Sequence, residues 1–227
     1  MADLLIRVVA PFAAYRDVHA PLRSYPIMTH TAAWGLLLGI AGIETRAALD
    51  TPVTLTRKDA PCLEIAIGQV REGSIQSVYQ QLHAYEVSRS SAETGLARFR
   101  EGCKGAKYRI TPKRRDVLVG LDCVLGVRAS PVLVGAIKAG ILGEVPHYGV
   151  PFAGDNNFFL ERLEVTEPVP ARWCVATSQP NRGLLRLPVW NDRGDSRRNR
   201  YQTFLFSDPN QSIPDSAWVT VGPPREG

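Results

Sequence analysis

Two helix-length segments, Thr29–Ile43 (THTAAWGLLLGIAGI) and Pro131–Leu142 (PVLVGAIKAGIL), interrupt a chain whose other apolar runs are strand-like. Their placing constrains the fold more than any other feature. The first follows Pro26, and Thr29 or Thr31 can cap it, because a hydroxyl accepts from first-turn N–H groups that have no helical partner. The second opens on Ser130-Pro131, an N-cap followed by the residue best suited to a first turn, and Gly143 can end it. Gly35, Gly39 and Gly42 are costly in the first helix, roughly 1 kcal/mol each relative to Ala. Their spacing puts them on one face and predicts close packing against a sheet.

Around these helices the strands fall in order. Leu4–Ala10 is a short apolar, β-branched run closed by Pro11, which predicts a buried strand. Pro61–Val70 alternates apolar and polar residues, Ser74–Val87 keeps a strand-like composition, and Asp116–Val127 is clearly β. Phe158–Val165 alternates after a loop carrying Gly149, Pro151 and Gly154. The order is βαββαβ, which predicts an α+β fold of ferredoxin-like (RRM-like) arrangement with a large insertion between the middle strands. Beyond it, Trp173–Thr177, Leu184–Val189, Tyr201–Phe206 and Ala217–Val221 are short apolar runs set off by Pro, Asn, Asp and Gly. The expected layout is a unit over residues 1–170, with a hairpin insertion at about 74–127, and a β-rich C-terminal extension over 171–227 packed on it.

The insertion holds the strongest charge feature. Arg98–Arg115 (RFREGCKGAKYRITPKRR) carries eight Lys/Arg against one acid, Glu101, so its local charge exceeds the formal +5 of the whole chain. Lying between two extended arms, it predicts the tip and return arm of a long projecting β-hairpin. Cations in such excess suit a polyanion, because each phosphate neutralised releases condensed counterions. The segment after the first strand, PFAAYRDVHAPLRSYP, is a long loop broken by three prolines. Its Phe12, Tyr15 and Tyr25 could stack on bases, and Arg16 and Arg23 could meet phosphates. A second basic cluster, Arg193, Arg197, Arg198 and Arg200, is offset by Asp192 and Asp195.

Several classes are excluded or disfavoured. Cys62, Cys103, Cys123 and Cys174 lie tens of residues apart without a C-x-x-C or a nearby His pair, so no metal site and no zinc are expected. No P-loop and no clustered carboxylate set is present, so metal-dependent phosphoryl transfer lacks support; no cofactor is expected. The start, MADLLIRVVAPF, has an acid where a signal peptide needs positive charge, and the apolar stretch Ala32–Ile43 is far shorter than the roughly twenty residues that span a bilayer. The expectation is a reduced, cytoplasmic protein with free thiols and no membrane partner. The sequence pI of about 9.2 favours an anionic partner.

Five stretches carry a resemblance: PF-x-x-[YF]-R after the first strand, SYP before the first helix, the W-G-x-x-x-G helix, the QQLHAY…GCKGAKYRITPKRR hairpin, and YGVPFAGDNNFFLERLEV with its glycine loop. In this order, over roughly residues 4–166, they resemble the Cas-five family, RAMP-superfamily subunits of the type I CRISPR Cascade complex, and most of all its DevS-like branch. The resemblance implies a ferredoxin-like core with a projecting hairpin, or thumb. It implies partners too: the crRNA 5′ handle, which such subunits bind and cap, the Cascade backbone subunits, and the large subunit that reads the PAM, with target DNA met only indirectly. Carried onto this chain, RNA-binding positions fall on Phe12, Tyr15 and Arg16, and on Ser24, Tyr25 and Thr29 at the entry to the first helix, where exposed N–H groups favour a phosphate. They also fall on Lys104, Lys107, Arg109, Lys113, Arg114 and Arg115 of the hairpin, and on Gly154, Asp155, Asn156 and Asn157 of the glycine loop.

No catalytic residue is expected on this reading. The alternative is a metal-independent endoribonuclease that processes precursor crRNA, since one branch of the same family does so. That chemistry needs a base, an acid and a cation around a 2′-hydroxyl. His19, His30, His83 and His147, with Tyr15, Tyr25, Tyr85 and the lysines, are the candidates, and no spacing among them selects a set.

Overall fold

A computed structural model describes residues 2–17, 20, 22–47, 55–84, 109–179 and 182–224. Strand β1 spans Ala2–Ala13, helix α1 His30–Ile40, β2 Leu63–Arg71, β3 Ser74–Ala84 and β4 Arg109–Ala129. Helix α2 spans Pro131–Ile141, followed by β5 Arg162–Val165, β6 Arg172–Ala176, β7 Leu185–Trp190, β8 Arg200–Phe206 and β9 Val219–Val221. The fold is α+β: one large antiparallel sheet with the order β5-β1-β4-β2-β6-β8-β7, to which β3 adds on β4 and β9 on β2.

Both helices begin where local chemistry requires. The Thr29 hydroxyl accepts from the Ala32 N–H at 3.4 Å and the Ser130 hydroxyl from the Leu133 N–H at 3.4 Å, each meeting one orphan donor of a first turn. The first helix is shorter than its apolar pattern, ending at Ile40 because Gly42 takes a left-handed φ of +74°. The expected glycine face does not meet the sheet. A side chain at Gly35 would meet open space and one at Gly39 the Tyr148 carbonyl oxygen at 3.4 Å; the tight helix–helix contact is at Gly140 of α2, where a Cβ would collide with the Ile40 backbone.

Strand β1 runs past Pro11, which the sequence reads as its end. The β1–β4 register passes from Ala10↔Leu121 to Phe12↔Val119, leaving Pro11 across from Gly120, whose φ of +76° loosens the ladder where proline has no N–H to give. Strand β4 has two parts. Its C-terminal half lies between β1 and β2 in the core sheet, whereas Arg109–Val117 pair only with β3. The β3 residues from Gln76↔Val117 to Ala84↔Arg109 therefore form a two-stranded arm of about 30 Å at ~3.4 Å per residue. Residues 85–108, with the expected hairpin tip, lie outside the described residues.

One face of the core sheet presents Leu4, Ile6, Val8, Leu63, Ile65, Ile67, Cys123, Leu125 and Val127, all buried, to the helices. The C-terminal strands add to this layer: Trp190 packs edge-on against Trp34 at 5.3 Å, and Phe204 stacks on His30 at 5.0 Å. The opposite face is also covered. Ala171, Trp173 and Ala217, with Val169, Ile213 and Trp218, pack over Ala66 and Val124. Gly68 and Gly126 make room for this cover, since a Cβ at either would strike Ala171, Trp173 or Ile213. The C-terminal third thus closes both sides of the sheet and joins it through β6 and β9 on β2.

Candidate nucleic-acid interface

The end of β1, the glycine loop and the root of the β3–β4 arm meet at one carboxylate. Gly154 holds φ at +77°, and a Cβ there would collide with the Ala14 carbonyl oxygen and the Tyr15 ring. The loop is tied in by the Ala14 N–H, which donates to the Ala153 carbonyl at 3.0 Å. The turn turns Asp155 inward, to 7% exposure. Its Oδ2 accepts from Arg16 at 2.6 Å and from Arg115, while Oδ1 accepts from the Asn157 N–H at 3.1 Å and the Asn157 side-chain amide at 2.7 Å. Arg115 also donates to Gln80 of β3 at 2.9 Å. Burial alone would raise the Asp155 carboxyl, but the bonds from Arg115, the Asn157 backbone and Arg16 outweigh it and hold it down to about 2.

This clamp sets what the expected RNA-binding positions can offer. Arg115, 7% exposed, and Asp155 hold the arm on the glycine loop. Arg16 reaches the clamp from outside with its side chain half exposed, and can meet a ligand without leaving its partner. Ser24 is internal to the loop: its hydroxyl accepts from the Tyr15 N–H at 3.1 Å and donates to the Tyr25 carbonyl at 3.1 Å. Tyr15 is buried, and burial pushes its hydroxyl well above the ordinary tyrosine range. Tyr25 is half-buried and is pushed up to about 12 by burial and then by Asp17. Ile27, Met28, Thr29 and His30 are all buried, so the α1 N-terminus is enclosed and the Thr29 hydroxyl is committed to its cap. Phe12 is 48% exposed, with its ring 6.1 Å from Phe158. Asn156 stands exposed on the glycine loop, and Lys113 and Arg114 stand exposed on the arm. Arg109 pairs with Ala84 near the described end of the arm, and Lys104 and Lys107 lie outside the described residues.

The nuclease candidates do not converge among the described residues. His30 is fully buried and pushed down to about 3 by burial; the His147 ring bonds to the Gly140 carbonyl at 2.7 Å. His19 and Tyr85 lie outside the described residues, as does the side chain of His83. Also among the described residues, no group of His, Cys, Asp and Glu is placed to hold a metal ion, and no helix is long and apolar enough to cross a membrane. Arg197 and Arg198 of the second basic cluster pair locally with Asp195 at 3.0 and 3.9 Å.

Sequence reasoning missed four exposed aromatics among the described residues: Tyr79 on the arm, 81% exposed, Tyr148 beneath Arg46, and Phe152 and Phe159, which face each other across an isolated bridge beside the glycine loop. Tyr79 had a signal, being a lone aromatic in the polar run SVYQQ of a strand with no core to cover.

The fold, an antiparallel sheet with two helices, has likenesses among solved structures. A chain described as part of a CRISPR RNA-guided surveillance complex superposes with a TM-score of 0.57 at 13% identity, over 92% of this chain and 90% of that one. A second, described as a Cas protein, gives 0.50 at 13% identity, over 98% and 100% of the two chains. No protein-family model and no curated protein matches the sequence. At these identities the likeness is one of fold.

Proposed function

We propose that this chain is an RNA-binding, non-catalytic subunit of a type I CRISPR Cascade effector, of the Cas-five family in its DevS-like branch, acting in the cytoplasm. In this reading the order β5-β1-β4-β2 with both helices on one face is the ferredoxin-like core, and the β3–β4 arm is the thumb. The chain binds and caps the crRNA 5′ handle, and contacts the first backbone subunit and the large PAM-recognising subunit. The observation that carries the proposal is the arm itself. It is a two-stranded ribbon bearing exposed Lys113 and Arg114, rooted by the Asp155 clamp, on a fold shared with a chain of a solved RNA-guided surveillance complex. Covering of the second sheet face by Trp173 and Trp218 supports placing the RNA along the arm and loops, unlike RNA binding on an open sheet.

The test is handle-RNA binding across a salt series, alone and with the backbone subunits. Wild type should bind single-stranded handle RNA, and Lys113→Ala with Arg114→Ala should lower the slope of log K against log salt by about 1.4, at ~0.7 per phosphate contact on a single strand. An unchanged slope together with unchanged assembly would refute the role of the arm. Incubation with precursor crRNA in EDTA should leave the RNA intact; site-specific cleavage would replace the structural role by a nuclease.

A further inference from the structure

We propose that Tyr79 and Arg114, directly opposed across the arm, form a site for one unpaired RNA nucleotide: the base stacks on the Tyr79 ring and Arg114 holds the adjacent phosphate. The inference rests on the RNA-binding reading above and adds to it a defined subsite. Successive strand residues point to opposite faces. One face of the arm therefore carries Val78, Gln80, Arg115 and Lys113, and it is this face that docks through Arg115 onto Asp155. The reverse face carries Ser77 and Tyr79 opposite Asp116 and Arg114.

Among the described residues, that reverse face has nothing of the protein to cover. Tyr79 is the most exposed aromatic among the described residues, and a ring standing out from a ribbon of two strands gains little from burial. Asp116, the one carboxylate described on this face, accepts the Ser77 hydroxyl at 2.8 Å, and Arg114 has no acidic partner among the described residues. Directly opposed residues in a ladder have Cβ atoms about 4.5–5.5 Å apart, within the span of one nucleotide from base to phosphate. The flanking side chains favour nucleic acid over a protein partner. Arg114 is cationic, Ser77 is polar, and Ile75, the other exposed apolar side chain described on this face, lies two pairs away at the arm's root. A base in a duplex keeps its face against its neighbours, so the occupant is single-stranded.

The probe is the handle RNA as a single strand, with the same sequence annealed to its complement as the control. Tyr79→Ala should weaken single-strand binding about tenfold, in the range of one base stacked on an aromatic ring. Tyr79→Phe should stay within about twofold of wild type, and neither change should alter the melting temperature or the salt slope. Arg114→Ala should instead lower the slope by about 0.7. Wild-type binding that Tyr79→Ala leaves untouched overturns this subsite while the subunit reading stands. Equal weakening by Tyr79→Ala and Tyr79→Phe, or equal affinity for the duplex, overturns stacking. Failure of wild type to bind handle RNA overturns both proposals.

Discussion

Replacing Asp155 by Asn tests whether the clamp is what roots the arm. The carboxylate is buried and accepts from Arg16 at 2.6 Å, from Arg115, and twice from Asn157. Its titration falls from an ordinary 3.8 to about 2. The native state thus prefers the charged form by about 2.5 kcal/mol, at 1.36 kcal/mol per unit. Asn keeps the shape and some hydrogen bonds but leaves the Arg115 guanidinium, 8% exposed, with no anion against it and neutral Gln80 alongside. Breaking a buried pair from one side typically costs ~3–5 kcal/mol. Both routes converge on a loss of about 3 kcal/mol at pH 7, or a melting temperature about 6–12 °C lower for a domain of this size. The pH dependence follows from the sign. The folded value lies below the unfolded one, so this stability is full above about pH 4 and is lost as pH falls towards 2. The gap between wild type and Asp155→Asn in urea unfolding should therefore be constant from pH 7 to about 4.5 and narrow below pH 4. A gap under about 1 kcal/mol at neutral pH, or one that stays constant to pH 2.5, would refute the clamp.

Other expectations follow from single contacts. Gly154→Ala should cost about 3 kcal/mol, combining left-handed strain with a collision against Ala14 and Tyr15. Gly149→Ala, at a similar φ with open space around it, should cost only about 1 kcal/mol; equal losses in urea unfolding would show that backbone strain alone decides. His30 titrates at about 3 in place of 6.5 because burial disfavours its charged form, so unfolding becomes easier as pH falls from about 6.5 towards 3. Its contribution to that loss approaches ~5 kcal/mol, and His30→Leu should flatten the stability profile over this window; an unchanged profile would refute the assignment. Ser130→Ala should cost about 1 kcal/mol by removing the cap on Leu133, measured against Ser130→Asp, which restores an acceptor.

The features legible in the sequence are those whose physics is local. Thr29 and Ser130-Pro131 mark the helix starts because a cap acts within one turn. The strands of the core appear as apolar runs because each has a face to bury. Strand β4 shows where this stops: Asp116–Val127 reads as β, while Arg109–Arg115 reads as charge, because an arm of two strands buries little and leaves no apolar period. The cover over the second sheet face had no signature, since it depends on Gly68 and Gly126 meeting residues of the C-terminal third.

The site shows a sharper limit. A cation cluster counted along the sequence treats Lys113, Arg114 and Arg115 as equal, yet alternation sends Arg114 to one face of the arm and Arg115 to the other. Arg115 is then spent on a carboxylate 40 residues away, and Arg16 reaches the same oxygen across 139. An internal ion pair at such separation leaves no trace in composition or spacing, so charge density overstates the charge available to a ligand. What corrects the count is the sheet register. The side of the ribbon that carries Val117 turns towards the protein, and with it goes Arg115. On the other side Arg114 is left opposite Tyr79, so among the described residues that side offers a ligand one cation and one ring.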